Sequence, residues 1–339
     1  RAAVAFNGNG NIARVLIPWR RRDESPEKKR IIVQDAKTGQ KITNVAVISI
    51  NREQGDICFE PVSGKGHYYI YYLPYKNEGS SNYPKGIYQA PENTVDQKWL
   101  SAIPTGRPKY NVTVKELQAI DTFNSFYPME VIATAAETKQ LQQQHKDVAY
   151  LVFPEDRLLP IKMTDDLPAK WIRKGSQQSF SGQADKGEYY AFQLGIYAIK
   201  TVPEITLSFS DLKSPDGKVI PAKALDCINT SGVKYDVTPF ANKVTVPAGK
   251  IQALWCGVNV PDNAAAGIYK GTVMIKPTGM PAVPVELSIT VTDKQAVNGG
   301  VNEPWKQTRL KWLNSTLAQQ NEVIAPYLPL ELKDHVISL

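Results

Sequence analysis

The stretch IQALWCGVNVPDNAAAGIYKGTVMIKPTGMPAVPVELSITVTD, residues 251–293, decides the fold class. It breaks into IQALWCGVNV, IYKGTVMIK and VPVELSITVTD, three strand-like runs separated by segments rich in Pro, Asn and Gly. Further runs precede them, namely LLPIKM, YYAFQLGIYAI, EITLSFSDL and KVTVPAG, with Ser-Pro-Asp-Gly at 214–217 as an explicit turn. Seven or eight strands in about 140 residues is what an immunoglobulin-like sandwich requires. Residues 154–293 are therefore expected to form one.

The same reading extends toward the N-terminus. Between residues 1 and 75, ARVLIPW, RIIVQDA, KITNVAVISI, DICFEPV and HYYIYYLPY alternate with turn clusters, which argues for an antiparallel sandwich over 1–153. Two features interrupt it. Residues 76–112 form a long polar insertion carrying aromatic residues, and loops of that length are usually functional or disordered. A helical insertion is expected over 113–147, because Thr113 and Glu116 are spaced as a capping box with Leu117, Ile120 and Phe123 along one side. A second helical run follows at 135–146. Residues 294–307 read as a linker, TRLKWLNSTLAQQN as a helical turn or two, and the apolar close YLPLELKDHVISL as the start of a further, truncated domain within 294–339. The expected fold class is thus mainly β: two tandem antiparallel β-sandwich domains, the second immunoglobulin-like, with a small helical insertion in the first.

Composition narrows the functional classes. With 42% hydrophobic and 22% charged residues, and no apolar run of about 18 residues, the 339-residue chain reads as globular with no membrane span. Its net charge of +7 is concentrated in RRRDESPEKKR, residues 20–30. Such a cluster can grip phosphates, but the Ser-Pro turn and the interleaved Asp23, Glu24 and Glu27 favour a solvated hairpin loop, so no nucleic-acid partner is expected.

Little in the sequence resembles catalytic machinery. Cys58, Cys227 and Cys256, with only His67, His145 and His335, fit no metal spacing, so no metal and no cofactor is expected. Cys227 and Cys256 fall in strand-like runs about thirty residues apart, compatible with a disulfide and with two buried thiols, the blander reading. Sugar hydrolysis needs two carboxyls flanking the bond, or one beside a group that positions the substrate's own nucleophile. Glu155-Asp156, Asp165-Asp166 and the Asp185/Glu188 pair all sit in turn contexts where acids are solvated. No catalytic residue is assigned. Aromatics are more informative: most of the 6 Trp, 16 Tyr and 9 Phe alternate within strands, whereas Tyr75, Tyr83, Tyr88 and Trp99 lie in or beside the polar insertion. Rings in such a setting can stack on a sugar's apolar face, which makes these four the candidate glycan-binding residues. The competing reading is that they pin the long loop to the sandwich.

Four stretches resemble the N-terminal region of bacterial proteins related to glycoside hydrolase family 123. They are IPWRRRDESPEKKRIIVQDAKTGQKI; YYLPYKNEGSSNYPKGIY; GEYYAFQLGIYA with ALWCGVNVPDNAAAGIYKGTV; and RLKWLNSTLAQQNEVIAPYLPLEL. The resemblance implies a sandwich region preceding a (β/α)₈ catalytic barrel that cleaves N-acetylgalactosamine-type linkages with the substrate's acetamido group as nucleophile. It also implies an adjacent Asp-Glu pair that orients this group. The Asp23-Glu24 dipeptide lies in the basic hairpin and not after a barrel strand, so the role is not carried over. Without eight strand–helix units there is no barrel here. The chain alone is expected to be non-catalytic, and its expected partners are a carbohydrate and the catalytic domain of the same parent chain. Its expected location is secreted, periplasmic or at the cell surface. An alternative is a stand-alone glycan-binding or adhesin-type surface protein.

Overall fold

The computed structural model describes residues 1–104, 109–122, 125–316 and 322–338. The chain divides into two compact units. One comprises Arg1–Gln144 and Asp166–Lys174, the other His145–Asp165 and Gly175–Leu339. Both are built from β-sheets that are antiparallel at almost every pairing.

In the first unit, one sheet runs in the order Val112–Leu117, Ala2–Phe6, Gly66–Tyr72, Ile31–Asp35, Lys41–Ile42. Ala13–Ile17, Gly55–Phe59 and Val45–Ile50 form a second sheet. Alternation places Val4, Phe6, Val33 and Ile70 of the first and Val15, Ile17, Ile57 and Phe59 of the second in one buried cluster, which makes the unit a sandwich. Trp19 closes one end, stacked on Tyr72 at 4.8 Å and donating its indole N–H to the Asn51 carbonyl.

Two expected elements differ. The segment begun by Thr113 is not helical: Val112–Leu117 pairs antiparallel with Ala2–Phe6, with Phe6 opposite Val112 and Val4 opposite Val114. The β-branched Val112, Thr113 and Val114 suit a pleated surface, and an unpaired sheet edge supplies partners that a lone capping signal cannot match. Ile120 is exposed, and Phe123 lies outside the described residues. The working capping box lies further along the chain, at Thr134 and Glu137. Glu137 N–H donates to Thr134 Oγ1 at 3.1 Å, while Thr134 N–H donates to Glu137 Oε2 at 2.8 Å, which starts the helix Ala135–Gln144. The described residues of the insertion over 76–112 include a hairpin of Tyr75–Ser80 and Tyr83–Tyr88, followed by the helix Gln97–Ala102.

The second unit places a four-stranded sheet, ordered Tyr150–Asp156, Tyr189–Ala198, Ile251–Asn259, Leu225–Cys227, against a larger one. The latter runs Ser179–Lys186, Val283–Gln295, Gly267–Lys276, Val202–Phe209, Val244–Val246. One pairing is parallel, that of Ser179–Lys186 with Val283–Gln295. Phe192, Leu194, Ile196 and Leu254 meet Tyr269, Val273, Ile275 and Leu287 in the core between the sheets. The strand Tyr189–Ala198 is buried along its whole length, on both faces. Its one amide side chain, Gln193, is fully buried and paired: Oε1 accepts from Ile161 N–H at 2.7 Å and Nε2 donates to the Asp156 and Leu159 carbonyls.

Two boundaries also move. The division expected at 153/154 falls inside Tyr150–Asp156, which belongs wholly to the second sandwich. Residues 294–307, expected as a linker, instead form 3₁₀ turns at Val297–Gly300 and Pro304–Lys306, with Lys306 buried, and the helical turn expected after them is the 3₁₀ segment Thr308–Asn314, with Thr308 buried. The closing run contributes Glu331–Lys333 and Val336–Ser338, which pair with each other.

Close packing leaves no room for a methyl at Gly257. A Cβ there would lie 2.0 Å from the Tyr189 ring, whose hydroxyl is itself held by Asp226 at 2.6 Å. Gly257→Ala is expected to cost about 1–3 kcal/mol, read as a fall in the urea midpoint. An unchanged midpoint would show that the ring can move aside.

Candidate functional site

Three of the four aromatic residues expected to bind glycan share the hairpin over 75–88. Tyr75 and Tyr88 are cross-strand partners with rings edge to face at 6.2 Å, and Tyr83 stands at the tip, 87% exposed. Trp99 is elsewhere. It is only 5% exposed, on the helix capped by Asp96, and its indole N–H donates to the Asn11 carbonyl at 2.9 Å. Trp99 therefore pins the insertion to the sandwich, as the competing reading of these rings had it.

The hairpin's polar neighbours come from the basic loop, which sequence separation hid. Tyr88 donates its hydroxyl to Asp23 at 2.7 Å, and the Lys29 ammonium sits 4.0 Å above the Tyr88 ring. Burial pushes the Tyr88 phenol up to about 12, and the Asp23 carboxylate adds to the shift. Burial alone would raise Asp23, but the Tyr88 hydroxyl and the Arg21 guanidinium outweigh it and hold the carboxyl below its ordinary value. Near neutrality the pair is a phenol donating to a carboxylate. Asp23 is thereby unsuited to act as a general acid.

The rest of the basic loop is largely neutralised. Arg20 pairs with Glu137 at 2.8 Å, Arg22 with Glu130 at 2.9 Å, and Arg30 with Glu92 at 2.8 Å. A cluster this evenly paired presents little excess field to a polyanion.

The candidate acids are tied down in the same manner. Asp165 pairs with Lys250 and Asp166 with Arg52, each at 2.5 Å, and Asp156 accepts the Tyr190 hydroxyl at 2.5 Å. Asp185 and Glu188 enter an ion cluster in the second unit. Glu188, with no exposed surface, pairs with Arg157 and lies 3.7 Å from Lys306 Nζ. Lys306 also reaches Asp185 at 2.9 Å and Glu303 at 2.8 Å, while the Thr292 hydroxyl donates to Asp185 at 2.6 Å. The Arg157 guanidinium packs over the Tyr190 and Trp305 rings.

Beside this cluster lies a groove of about 550 Å³. Tyr189, Asp226, Asn259, Lys311, Trp312 and Asn314 line it. Tyr189 and Asn314 both donate to Asp226, at 2.6 and 3.3 Å, and Lys311 donates to Asn259 at 3.0 Å. Burial, then Asp226, push the Tyr189 phenol far up, so it remains a donor. Trp312 is 58% exposed at the rim. Nothing in the sequence pointed to this groove, because its lining comes from four separated segments. Among the described residues, no group of His, Cys, Asp and Glu is arranged to hold a metal ion.

Comparison with known proteins fits this picture. Residues 1–120 match the family described as glycoside hydrolase 123, N-terminal domain, and residues 226–277 match a second model described as the glycoside hydrolase 123 N-terminal domain. Similar solved structures include a family 123 glycoside hydrolase from Clostridium perfringens, with 16% identity and a TM-score of 0.35 over 44% of this chain and 28% of that one. Galactose-bound MyfA, the major subunit of Myf fimbriae from Yersinia enterocolitica, has 13% identity and a TM-score of 0.24 over 32% of this chain and 88% of that one. The PapD-like domain 7 of human CEP192 has 17% identity and a TM-score of 0.24, over 35% and 84%. No curated protein matches. The chain is thus a mainly β protein of antiparallel sheets, related to the N-terminal β-sandwich region of glycoside hydrolase family 123 proteins.

The ion cluster makes a quantitative demand. Removing the Lys306 charge leaves Asp185 without its closest cation and Glu188 with Arg157 alone, so Lys306→Met is expected to cost about 3–5 kcal/mol at pH 7. Burial would raise Asp185, but Thr292 and Lys306 hold it below its ordinary value. A depressed carboxyl stabilises the fold above about pH 4 and loses that contribution as the pH falls through its folded value. Burial would lower Lys306, but Glu303 and Asp185 raise it, and that contribution is lost only as the pH climbs through the raised value. The gap between wild type and variant, measured by urea denaturation, should be flat near neutrality and shrink in acid.

Proposed function

We propose that the chain is the non-catalytic N-terminal region of a secreted glycoside hydrolase, supporting a catalytic barrel of N-acetylhexosaminidase type and holding glycan at the aromatic hairpin. The observation that carries this reading is the pair of family matches, which fall one in each unit. It is supported by the engagement of the candidate acids with cations or hydroxyls, since hydrolysis would need two carboxyls poised across a bond. Exposed Trp305, Trp312 and Leu313, on turns anchored by Lys306, offer apolar surface against which a catalytic domain would pack. Exposed Tyr75 and Tyr83 present flat rings to solvent, the geometry a sugar's apolar face requires. The periplasm or cell surface is the compartment in which such a protein would meet its glycan.

The chain alone should release no chromophore from a nitrophenyl N-acetylhexosaminide, and turnover by it would overturn the non-catalytic assignment. On a glycan array, Tyr83→Ala should weaken retention by roughly 2- to 10-fold, with Trp99→Phe as a control for folding. Equal retention by Tyr83→Ala and wild type would remove the hairpin as a glycan site.

A further inference from the structure

Cys227 and Cys256 are directly opposite one another. Leu225–Cys227 is the edge strand of the four-stranded sheet and pairs antiparallel with Ile251–Asn259, with Asp226 facing Gly257 and Cys227 facing Cys256. The hydrogen-bond pattern fixes what kind of pair this is. Ile228 N–H donates to the Trp255 carbonyl at 3.0 Å, so 228 and 255 are a bonded pair and the next pair along is a non-bonded one. In keeping with this, the Cys227 carbonyl accepts from Thr230 N–H instead of from the facing strand.

Non-bonded antiparallel pairs bring Cα atoms to about 4.5 Å and side chains closer than bonded pairs do. Disulfides span Cα separations of about 4.4–6.8 Å, so a pair of this kind needs no backbone movement to be bridged. Both sulfurs point into the core between the sheets, and both residues are buried in the same apolar cluster. Neither thiol is part of the groove, the ion cluster or the aromatic hairpin.

We infer that Cys227 and Cys256 are a cross-strand dithiol that closes to a disulfide when the chain folds in contact with a disulfide oxidant, such as an oxidoreductase disulfide or oxidised glutathione. One of the two thiolates attacks one sulfur of the oxidant, forming a mixed disulfide and expelling a thiolate. The other cysteine, losing its proton, then attacks the protein sulfur of the mixed disulfide, forming the Cys227–Cys256 bond and expelling the second thiolate. Two thiols have been oxidised and one external disulfide reduced to two thiols. In the finished fold, hydrogen bonding from Cys256 holds the Cys227 thiol below its ordinary value despite burial, whereas burial pushes Cys256 well up. The closure belongs to folding, because the finished core covers both sulfurs.

The bond would fasten the edge strand to its neighbour. The edge strand is three residues long and carries Asp226, the carboxylate that receives both Tyr189 and Asn314 in the groove. The loop that would be closed includes the hairpin Ser231–Val233 and Pro239–Ala241, and the strand Val244–Val246, which pairs in the opposite sheet. Cys58 is the third thiol. It lies in the first unit, fully buried, with burial pushing it up to about 11, which suits an inert thiol.

The test refolds the full chain from denaturant in a buffer of reduced and oxidised glutathione, then quenches with acid, denatures and alkylates. The expected result is one alkylated cysteine, Cys58, and a peptide map linking 227 to 256. Cys58→Ser should then show no alkylation, and the Cys227→Ser/Cys256→Ser double variant should alkylate only Cys58 and lose the redox dependence of its melting temperature. In wild type the oxidised form should melt roughly 5–15 °C above the reduced form. Three alkylated cysteines after refolding, in a buffer that oxidises a control protein, would overturn the inference, as would a link through Cys58.

Discussion

A carboxylate with no exposed surface must have its charge answered, and Glu188 is answered by Arg157 and Lys306. Much of the second unit follows from that. Arg157 comes from the turn after the strand Tyr150–Asp156, Glu188 from the turn before Tyr189–Ala198, and Lys306 from a 3₁₀ turn more than a hundred residues further on. Three distant stretches are drawn together because each charge would be costly to bury without the others. The cluster extends outward through Asp185 and Glu303, which also pair with Lys306, and through the Thr292 hydroxyl, which donates to Asp185.

Fixing residues 304–306 also positions the groove. The turn Thr308–Asn314 that follows contributes Lys311, Trp312 and Asn314, and these meet Tyr189, Asp226 and Asn259 of the sheet. A short helical turn thus becomes one wall of a concave surface. The groove's carboxylate, Asp226, sits on the short edge strand beside Cys227, so the thiol pair and the groove share one structural element.

The first unit is organised differently, with its conspicuous chemistry at the surface. The loop over residues 20–30 is studded with cations, yet carboxylates brought from Glu92, Glu130 and Glu137 pair with Arg30, Arg22 and Arg20. What remains accessible is aromatic: Tyr75 and Tyr83 on a polar hairpin, steadied by Tyr88 through its hydrogen bond to Asp23 and the Lys29 ammonium above its ring. Deeper in, Arg14 and Asp56 form a buried bidentate pair at 2.5–2.9 Å, the first unit's own solution to an interior charge.

Local chemistry was legible in the sequence by itself: the strand-rich runs, the Ser-Pro-Asp-Gly turn, which closes a small hairpin with Gly217 at φ +83°, and the helix over 135–144. Each of these is set by residues within a few positions of one another, so a reading window contains the whole cause. Where the deciding partner was remote, only the tertiary structure could choose. Thr113-x-x-Glu116 and Thr134-x-x-Glu137 carry the same capping signature, and one became a strand because the edge of Ala2–Phe6 lay beside it. Trp99 and Tyr83 occupy the same polar insertion, and one was buried because the Asn11 carbonyl and a sandwich face were available to it. Burial, charge pairing and sheet-edge hydrogen bonding are properties of neighbours in space, and no spacing along the chain encodes them.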